Sequence, residues 1–381
     1  GAVSGNLRAP GRRAAEPYAP SASGTRPAAG RPPPRLPRAA PAGKMQGRPL
    51  QPRLRAAVPP DPTPTRPADV PPERPLRPRA LAPGSRVALV APAGPLDPER
   101  IERSRGRCKS MGLEPVVFPA AAERTGFLAG PDAARLRDLQ AAFDDEAIDA
   151  VWALRGGYGT QRIVDGLVLD RLRRDPIPFL GFSDLTALHV RLGSVGVVSF
   201  HAPHPGEAFP PETEAHLRRV LFHAGPPGPL PTRPEDPPPR PLVEGVAEGP
   251  LTGGNLALLS SLCGTRDAPT ARGAILALEE VGEPAYRVDR MLLQLHRSGA
   301  LDGVAGLALG RFTGRDEDEE EEERAVATVL AEWAGRLGVP AVRDLPFGHV
   351  AHNCTLPLGV RARLDGARAA LDLLEPAVRP T

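Results

Sequence analysis

Two rhythms of hydrophobic and polar positions run through the middle of the chain. Short apolar runs of four to seven residues punctuate it: Arg86-Val-Ala-Leu-Val-Ala-Pro, Glu114-Pro-Val-Val-Phe, Ile148-Asp-Ala-Val-Trp-Ala-Leu and Ile177-Pro-Phe-Leu-Gly-Phe. Runs this short, rich in Val, Ile, Phe and Trp and closed by Gly or Pro, predict buried strands. Between them the spacing turns helical. Asp97-Pro-Glu-Arg-Ile-Glu-Arg carries the marks of a helix start, with Asp as cap, Pro at the first position and acids in the first turn, and this helix should end near Gly112. Helices are also expected over Ala133–Phe143 and Gln161–Leu172. Strand and helix alternating at this spacing predict an α/β fold, a Rossmann-like or flavodoxin-like parallel sheet with helices on both faces.

A proline-rich stretch over 225–241, GPPGPLPTRPEDPPPRP, marks a boundary. Beyond it come Leu251-Thr-Gly-Gly-Asn-Leu, then Ala274-Ile-Leu-Ala-Leu running into Glu279-Glu280, then Val304-Ala-Gly-Leu-Ala-Leu-Gly, the last two read as strands. Arg287–His296 places Val288, Met291, Leu292 and Leu295 on one helical face. The division expected is therefore a tail over 1–82, an α/β domain over 83–224, a linker over 225–243 and a smaller α/β domain over 244–381.

Residues 1–80 lack any periodicity and hold 20 of the 50 prolines, so they should be disordered with polyproline II character. Arg-rich, acid-poor composition resembles a transit peptide, but the proline load opposes an amphipathic helix. Arg12-Arg13 resembles a twin-Arg start, with no apolar stretch after it. The plainest expectation is a dispensable tail, with Met45 or a later position as the true start.

Charge changes the picture once it is divided. The chain of 381 residues has a formal net charge of +3, but residues 1–80 carry 15 Lys and Arg against 4 Asp and Glu. The other 301 residues hold 33 basic and 41 acidic side chains, so the folded part is acidic and no basic face for nucleic acid is expected. No apolar run reaches the roughly 18–20 residues of a membrane-spanning helix. Three dispersed cysteines, Cys108, Cys263 and Cys354, argue against a disulfide scaffold and a cysteine zinc site, and fit a reducing compartment.

The strongest chemical signal is Phe179-Leu-Gly-Phe-Ser-Asp-Leu-Thr-Ala-Leu-His. A strand running through Ser183 into a helix can present the serine hydroxyl at the sheet's carboxyl edge, beside backbone N–H groups able to hold an oxyanion. The match to a nucleophile elbow is partial, because the second glycine of G-x-S-x-G is absent, and Ser183 would serve equally well as a helix cap. A nucleophilic serine needs a base and an orienting group. His189 lies on its helix's apolar face and reads as packed. His216, His223 and His296 sit at or near helix ends and read as solvated. His349, in the apolar loop Leu345-Pro-Phe-Gly-His-Val-Ala-His, is the better base, and Glu279 or Glu280 at a strand end can orient it. Arg155-Gly-Gly-Tyr-Gly can cradle a phosphate or donate an oxyanion N–H, but it lacks G-x-G-x-x-G spacing and a Walker lysine. His201-x-x-His204 and His349-x-x-His352 lack the H-E-x-x-H form of a zinc site. The acid run Asp316–Glu323 lacks EF-hand spacing and reads as a solvated loop or helix start.

Taken in order, Ala91-Pro-Ala-Gly, Arg155-Gly-Gly-Tyr-Gly, Gly181-Phe-Ser-Asp-Leu-Thr-Ala-Leu-His, Gly253-Gly-Asn-Leu, Leu278-Glu-Glu-Val-Gly-Glu-Pro-Ala-Tyr-Arg-Val-Asp-Arg and Phe347-Gly-His resemble the bacterial LD-carboxypeptidases. These muramoyltetrapeptide carboxypeptidases form a serine peptidase clan of their own. The resemblance spans roughly residues 83–375. It implies a Ser-Glu-His triad falling on Ser183, Glu279 and His349, spaced 96 and 166 residues from the serine. It also implies oxyanion N–H groups from Asp184 and from the Gly156-Gly157 turn, Gly157 being the donor assigned. The substrate implied is a murein tetrapeptide cut before its terminal D-alanine, for whose carboxylate Arg155 is a candidate clamp. No metal or organic cofactor, a cytoplasmic location and a homodimer are implied as well. Two departures stand out. The family's L-E-D reads Leu278-Glu279-Glu280, and its His-Gly-Pro reads His201-Ala202-Pro203, where the added methyl could alter the pocket. The main alternative on the same fold is a microcin C-type self-immunity hydrolase acting on peptidyl or aminoacyl nucleotides, which would want an aromatic platform from the 15 aromatic residues. A decayed binding module and a nucleotide-binding Rossmann domain are the readings from other classes.

Overall fold

The computed structural model describes residues 74–314 and 319–381, side chains of 319–323 excepted. The expectations for 1–73 and for Asp316–Asp318 lie outside the described residues. The described residues form one compact unit.

The first five strands are β1 (Arg86–Val90), β2 (Glu114–Val117), β3 (Ala150–Ala153), β4 (Phe179–Gly181) and β5 (Ser199–His201). They pair in parallel in the order β2-β1-β3-β4-β5. This is the flavodoxin-like order, whose switch point lies between β1 and β3. Side chains alternate across the sheet, as a period of two requires. Val87 and Leu89 join a core with Cys108 of α1 (Pro98–Ser110) and with Met111 at its C-cap, while Ala88 and Val90 pack with Leu139, Ala142 and Phe143 of α2 (Asp132–Asp144). Asp97 stands at the α1 cap position, but its carboxylate pairs with Arg124 at 3.1 Å instead of capping.

The helix expected over Gln161–Leu172 is not formed. Two short 3₁₀ turns, Thr160–Arg162 and Val164–Gly166, lead to the short helix α3 (Asp170–Arg174). Ile163, Val164, Leu167, Leu169 and Leu172 are all buried, a spacing that one helical face cannot supply, and Gly166 comes up against the Leu136 side chain. Burial therefore overrides the local pattern. After β4 come α4 (Thr186–Ser194) and, past β5, α5 (Pro211–Phe222).

The second sheet runs β6 (Gly228–Pro229), β14 (Ala370–Leu373), β13 (Arg361–Asp365), β8 (Val246–Asn255), β9 (Ile275–Val281), β10 (Gly306–Thr313), β11 (Ala341–Arg343) and β7 (Arg240–Val243) in spatial order. Its centre, β8 through β11, is parallel. The proline-rich stretch supplies both edge strands, β6 and β7, where missing N–H groups cost nothing. The helices of this half are α6 (Leu256–Leu262), α7 (Ala285–Arg297) and α8 (Glu319–Leu337). Strand β12 (Leu356–Leu358) returns to pair antiparallel with β5 of the first sheet. One core cluster is continuous across both sheets, joining Leu89, Trp152 and Phe200 to Leu251, Ile275, Phe347 and Leu371. All three cysteines are free. Among the described residues no helix is long and apolar enough to cross a membrane.

Candidate active site

The motifs read from the first half of the chain fall at the carboxyl ends of the first sheet's strands. Ala91–Gly94 follows β1, Arg155–Gly159 follows β3, Ser183 follows β4 and His201 closes β5. Ligands on open α/β sheets bind in this crevice.

Ser183 is one of only three non-glycine residues with positive φ among the described residues, at 63°. Such a backbone costs on the order of 1–3 kcal/mol and persists only where the surroundings enforce it. The enforcement is visible. Gly181 leaves room for Leu185, and the buried Asp184 carboxylate accepts the Thr160 N–H at 2.8 Å, tying the turn to the glycine loop after β3. The reading of Ser183 as a helix cap fails. Phe182 occupies the cap position, the serine begins the 3₁₀ turn Ser183–Leu185, and no side-chain cap bond is made. Ser183 is half-buried, and its hydroxyl has no hydrogen-bond partner among the described residues. Beneath it His189 is packed, as its position predicted. The ring accepts from Ser199 Oγ at 2.9 Å and donates to Gly181 O at 2.8 Å. Burial holds its pKa down at about 3, so it stays neutral.

The glycine loop faces the serine through Gly156. A methyl built on Gly156 would lie 3.0 Å from Ser183 Oγ and 3.3 Å from the Asp184 nitrogen. The Gly156 carbonyl accepts from Gly94 N at 3.1 Å, so in that planar peptide the Gly157 N–H points to the opposite side. Arg155 is half-buried and donates to Pro95 O at 2.8 Å, and burial, with Arg100 nearby, lowers its pKa. Part of its guanidinium is thus spent joining two loops. Buried Arg135 performs the same service, reaching Pro92 O, Gly159 O and Asp132. Sequence reading missed it because nothing about a helical arginine signals burial.

Glu279 and His349, 70 residues apart, meet. The His349 Nδ1–H donates to Glu279 Oε2 at 2.6 Å. Glu279 is fully buried. Burial alone would raise its carboxyl, but His201 and His349 outweigh that and hold it at about 2. For His349 burial opposes the charged ring, yet Glu279, with Glu280 and Glu207 further off, lifts its pKa above the ordinary value. Gly348 has φ 110°, and a methyl there would lie 2.8 Å from Glu279 Cβ, so the residue before His349 has to be glycine. The pair reaches the serine turn through Phe182, whose ring lies 4.8 Å from that of His349.

Glu280, where the sequence departs from L-E-D, is buried and occupied. It accepts from Asn255 Nδ2 at 2.9 Å, Ala257 N at 2.7 Å and Val281 N at 2.9 Å, anchoring the start of α6. Burial raises its pKa. Ala202 is fully buried in the core, so its methyl does not line the pocket. His223 and His296 are exposed as expected, but His216 is not: it is 1% exposed and accepts from Thr355 N at 3.3 Å. A partner 139 residues away explains why its helix alone misleads. Among the described residues no group of three or more His, Cys, Asp or Glu could hold a metal. A cleft of about 250 Å³ lies beyond the His349 loop, against Thr313, Val350, Ala351 and His352, and its lining includes none of Ser183, Glu279 or His349.

With this geometry in place, comparison with known proteins decides the family. The LD-carboxypeptidase N-terminal domain matches residues 87–202 and the LD-carboxypeptidase C-terminal domain matches 248–364. The chain belongs to the LD-carboxypeptidase family. A provisionally named carboxypeptidase of Streptomyces coelicolor is 44% identical over 312 residues, covering 80% of this chain and 97% of that protein. The murein tetrapeptide carboxypeptidase of Pseudomonas aeruginosa is 35% identical over 300 residues, covering 74% and 94%. Among solved structures, a microcin C7 self-immunity protein superposes with a TM-score of 0.72 at 22% identity, covering 80% of this chain and all of that one. At that identity the likeness concerns the fold.

Proposed function

We propose that this LD-carboxypeptidase is a serine enzyme that removes the terminal D-alanine from murein tetrapeptides, with Ser183, His349 and Glu279 as its triad. The observation that carries the reading is Ser183 itself, strained at φ 63° with an uncommitted hydroxyl, one residue from a ring in contact with a buried Glu–His pair. The Pseudomonas relative's name supports the substrate. In this reading residues 83–224 bring the nucleophile, and residues 244–381 bring the base and its orienting acid.

Ser183 Oγ attacks the carbonyl of the diamino acid's L-centre while His349 Nε2 takes its proton. The oxyanion is held by the N–H groups of Asp184 and Gly157. As the tetrahedral intermediate collapses, His349 returns the proton to the leaving amine of D-alanine, and water, activated by the same ring, frees the tripeptide. Glu279 keeps Nδ1 protonated and stabilises the imidazolium. Arg155, beside the glycines, is assigned to the substrate carboxylate with the N–H groups not turned to Pro95.

A second reading, hydrolysis of aminoacyl nucleotides, is favoured by one feature. Phe127 and Tyr158 are exposed, edge to face at 5.5 Å, and Tyr158 adjoins Gly157. The two tryptophans offer no such surface, being buried with their N–H groups on Pro203 O and Asp289. A competition assay separates the readings: murein tetrapeptide and an aminoacyl adenylate analogue offered together, products read by mass spectrometry. Tripeptide and D-alanine are expected. Nucleotide release alone would replace the proposed substrate.

A further inference from the structure

Glu279 has two oxygens, and only one is used. Oε2 accepts from His349, while Oε1 is buried without a hydrogen-bond partner among the described residues. His201 presents the matching deficit: it is 1% exposed, and neither ring nitrogen has a hydrogen-bond partner among the described residues. The two orphans face each other, His201 Nε2 lying 3.9 Å from Glu279 Oε1. A buried carboxylate with a single donor would be driven toward its neutral form. Orphaned buried polar groups are rare enough that two facing each other call for a joint explanation.

Resting on the triad reading above, we infer that His201 is a positioning residue, donating its Nε2–H to Glu279 Oε1 so that the carboxylate is clamped between two imidazoles. An approach of roughly 1 Å makes the bond. The surroundings favour it. His201 ends β5, paired with Gly181 on one side and Leu356 on the other, so its backbone is fixed beside the serine turn. Phe182 and Phe347 flank the ring at 5.6 and 6.0 Å and keep water from competing for the carboxylate.

His201 leaves His349 in charge of proton transfer and acts through the carboxylate. Its donation draws charge from Glu279 and so restrains how strongly Glu279 holds the proton on His349. The other titratable groups around the pair are His189 on α4, His204 after β5, Glu280 on β9 and Glu207, all present in every variant below.

The test compares His201→Phe and His201→Gln in the full chain, with His201→Leu as a second apolar variant should phenylalanine impair folding. Two readouts are used: the pH profile of kcat and kcat/KM for D-alanine release, and the NMR titration of the His349 ring. Removing the donor is expected to lower kcat roughly ten- to hundredfold with KM little changed. It should also raise the His349 titration midpoint and the acid limb. Glutamine, which keeps an N–H, should restore both in large part. A merely structural role would lower activity in all variants with the midpoint unmoved, and that result overturns the inference, as does His201→Phe with wild-type kcat and midpoint. The NMR readout needs no turnover. If the wild type releases no D-alanine, the substrate assignment falls while the shift in His349 still decides the role of His201.

Discussion

Gly156→Ala adds one methyl group at the point where the glycine loop faces the serine. That methyl would sit 2.9 Å from Ser183 Cβ and 3.0 Å from Oγ. Carbon atoms pack at about 3.5–4.0 Å, so something must yield by roughly 0.5–1 Å. Gly156 is not among the positive-φ glycines, so the conflict is one of contact and not of backbone conformation. The loop cannot easily retreat, because Gly94 N holds the Gly156 carbonyl at 3.1 Å and Asp184 holds Thr160 N at 2.8 Å. Ser183, half-buried and unpaired, is the group that moves. A misplacement near 1 Å costs about 10²-fold in rate, or about 2.7 kcal/mol of barrier. Overpacking should cost about 1–3 kcal/mol of stability. Steady-state kinetics of D-alanine release, read beside thermal unfolding, separates the two effects. The expected result is a fall in kcat near a hundredfold in a protein that remains folded at the assay temperature. A folded variant with kcat within threefold of wild type would refute the placement of Ser183 against this loop.

Other outcomes follow from the same geometry. Because Glu279 holds the His349 pKa above its ordinary 6.5 and the base must be neutral to act, the acid limb of kcat/KM should have its midpoint above pH 6.5. Glu279→Gln removes the cause, so the limb should fall below 6.5 with a rate loss on the order of 10⁴-fold, and an unmoved limb would sink the assignment. Gly348→Ala should lose both activity and folding stability, since its backbone is left-handed and its methyl would press on Glu279; a variant with wild-type melting temperature contradicts this. His189, His204 and His216 are each held at about 3 by burial, so each must take up a proton on unfolding below pH 6.5. Their stability contribution is complete above 6.5 and drains between 6.5 and about 3. Denaturant titrations between pH 6 and 5 should show stability falling by up to about 4 kcal/mol per pH unit, and a flat profile would contradict neutral burial.

What the sequence disclosed was local. The apolar runs gave β1, β3 and β4 because a strand buried on both faces writes its burial into consecutive residues. Their alternation with helices sufficed for a parallel sheet covered by helices, but left open the flavodoxin-like order that the structure shows. The segment over 161–172 misled because its apolar residues meet several neighbours, and a helical period assumes one face. The proline-rich stretch concealed β6 and β7, since a strand at a sheet edge needs few of its own N–H groups. Within the site, Ser183, Glu279 and His349 were legible as motifs, but their mutual arrangement was not, because Ser183 follows β4 of one sheet while Glu279 on β9 and His349 in the loop after β11 come from the other, 70 residues apart. Which glycine confronts the serine, Gly156, could not be told from a run of glycines. His201 was visible as half of a dubious zinc pair and as the start of His201-Ala202-Pro203, but its tie to Glu279 was not, because its orphan nitrogens and Glu279 Oε1 exist as a pair only in three dimensions. His216 failed for the same reason, its partner Thr355 lying far along the chain.

Ser183 as the nucleophile of a murein peptide carboxypeptidase is tested most directly by removing its hydroxyl. Wild-type protein and Ser183→Ala, both shown to be folded, should be incubated with a murein tetrapeptide and followed by mass spectrometry. Tripeptide and D-alanine are expected from the wild type and neither from the variant. Equal release by both would remove Ser183 from the chemistry, and no release by either would remove the substrate.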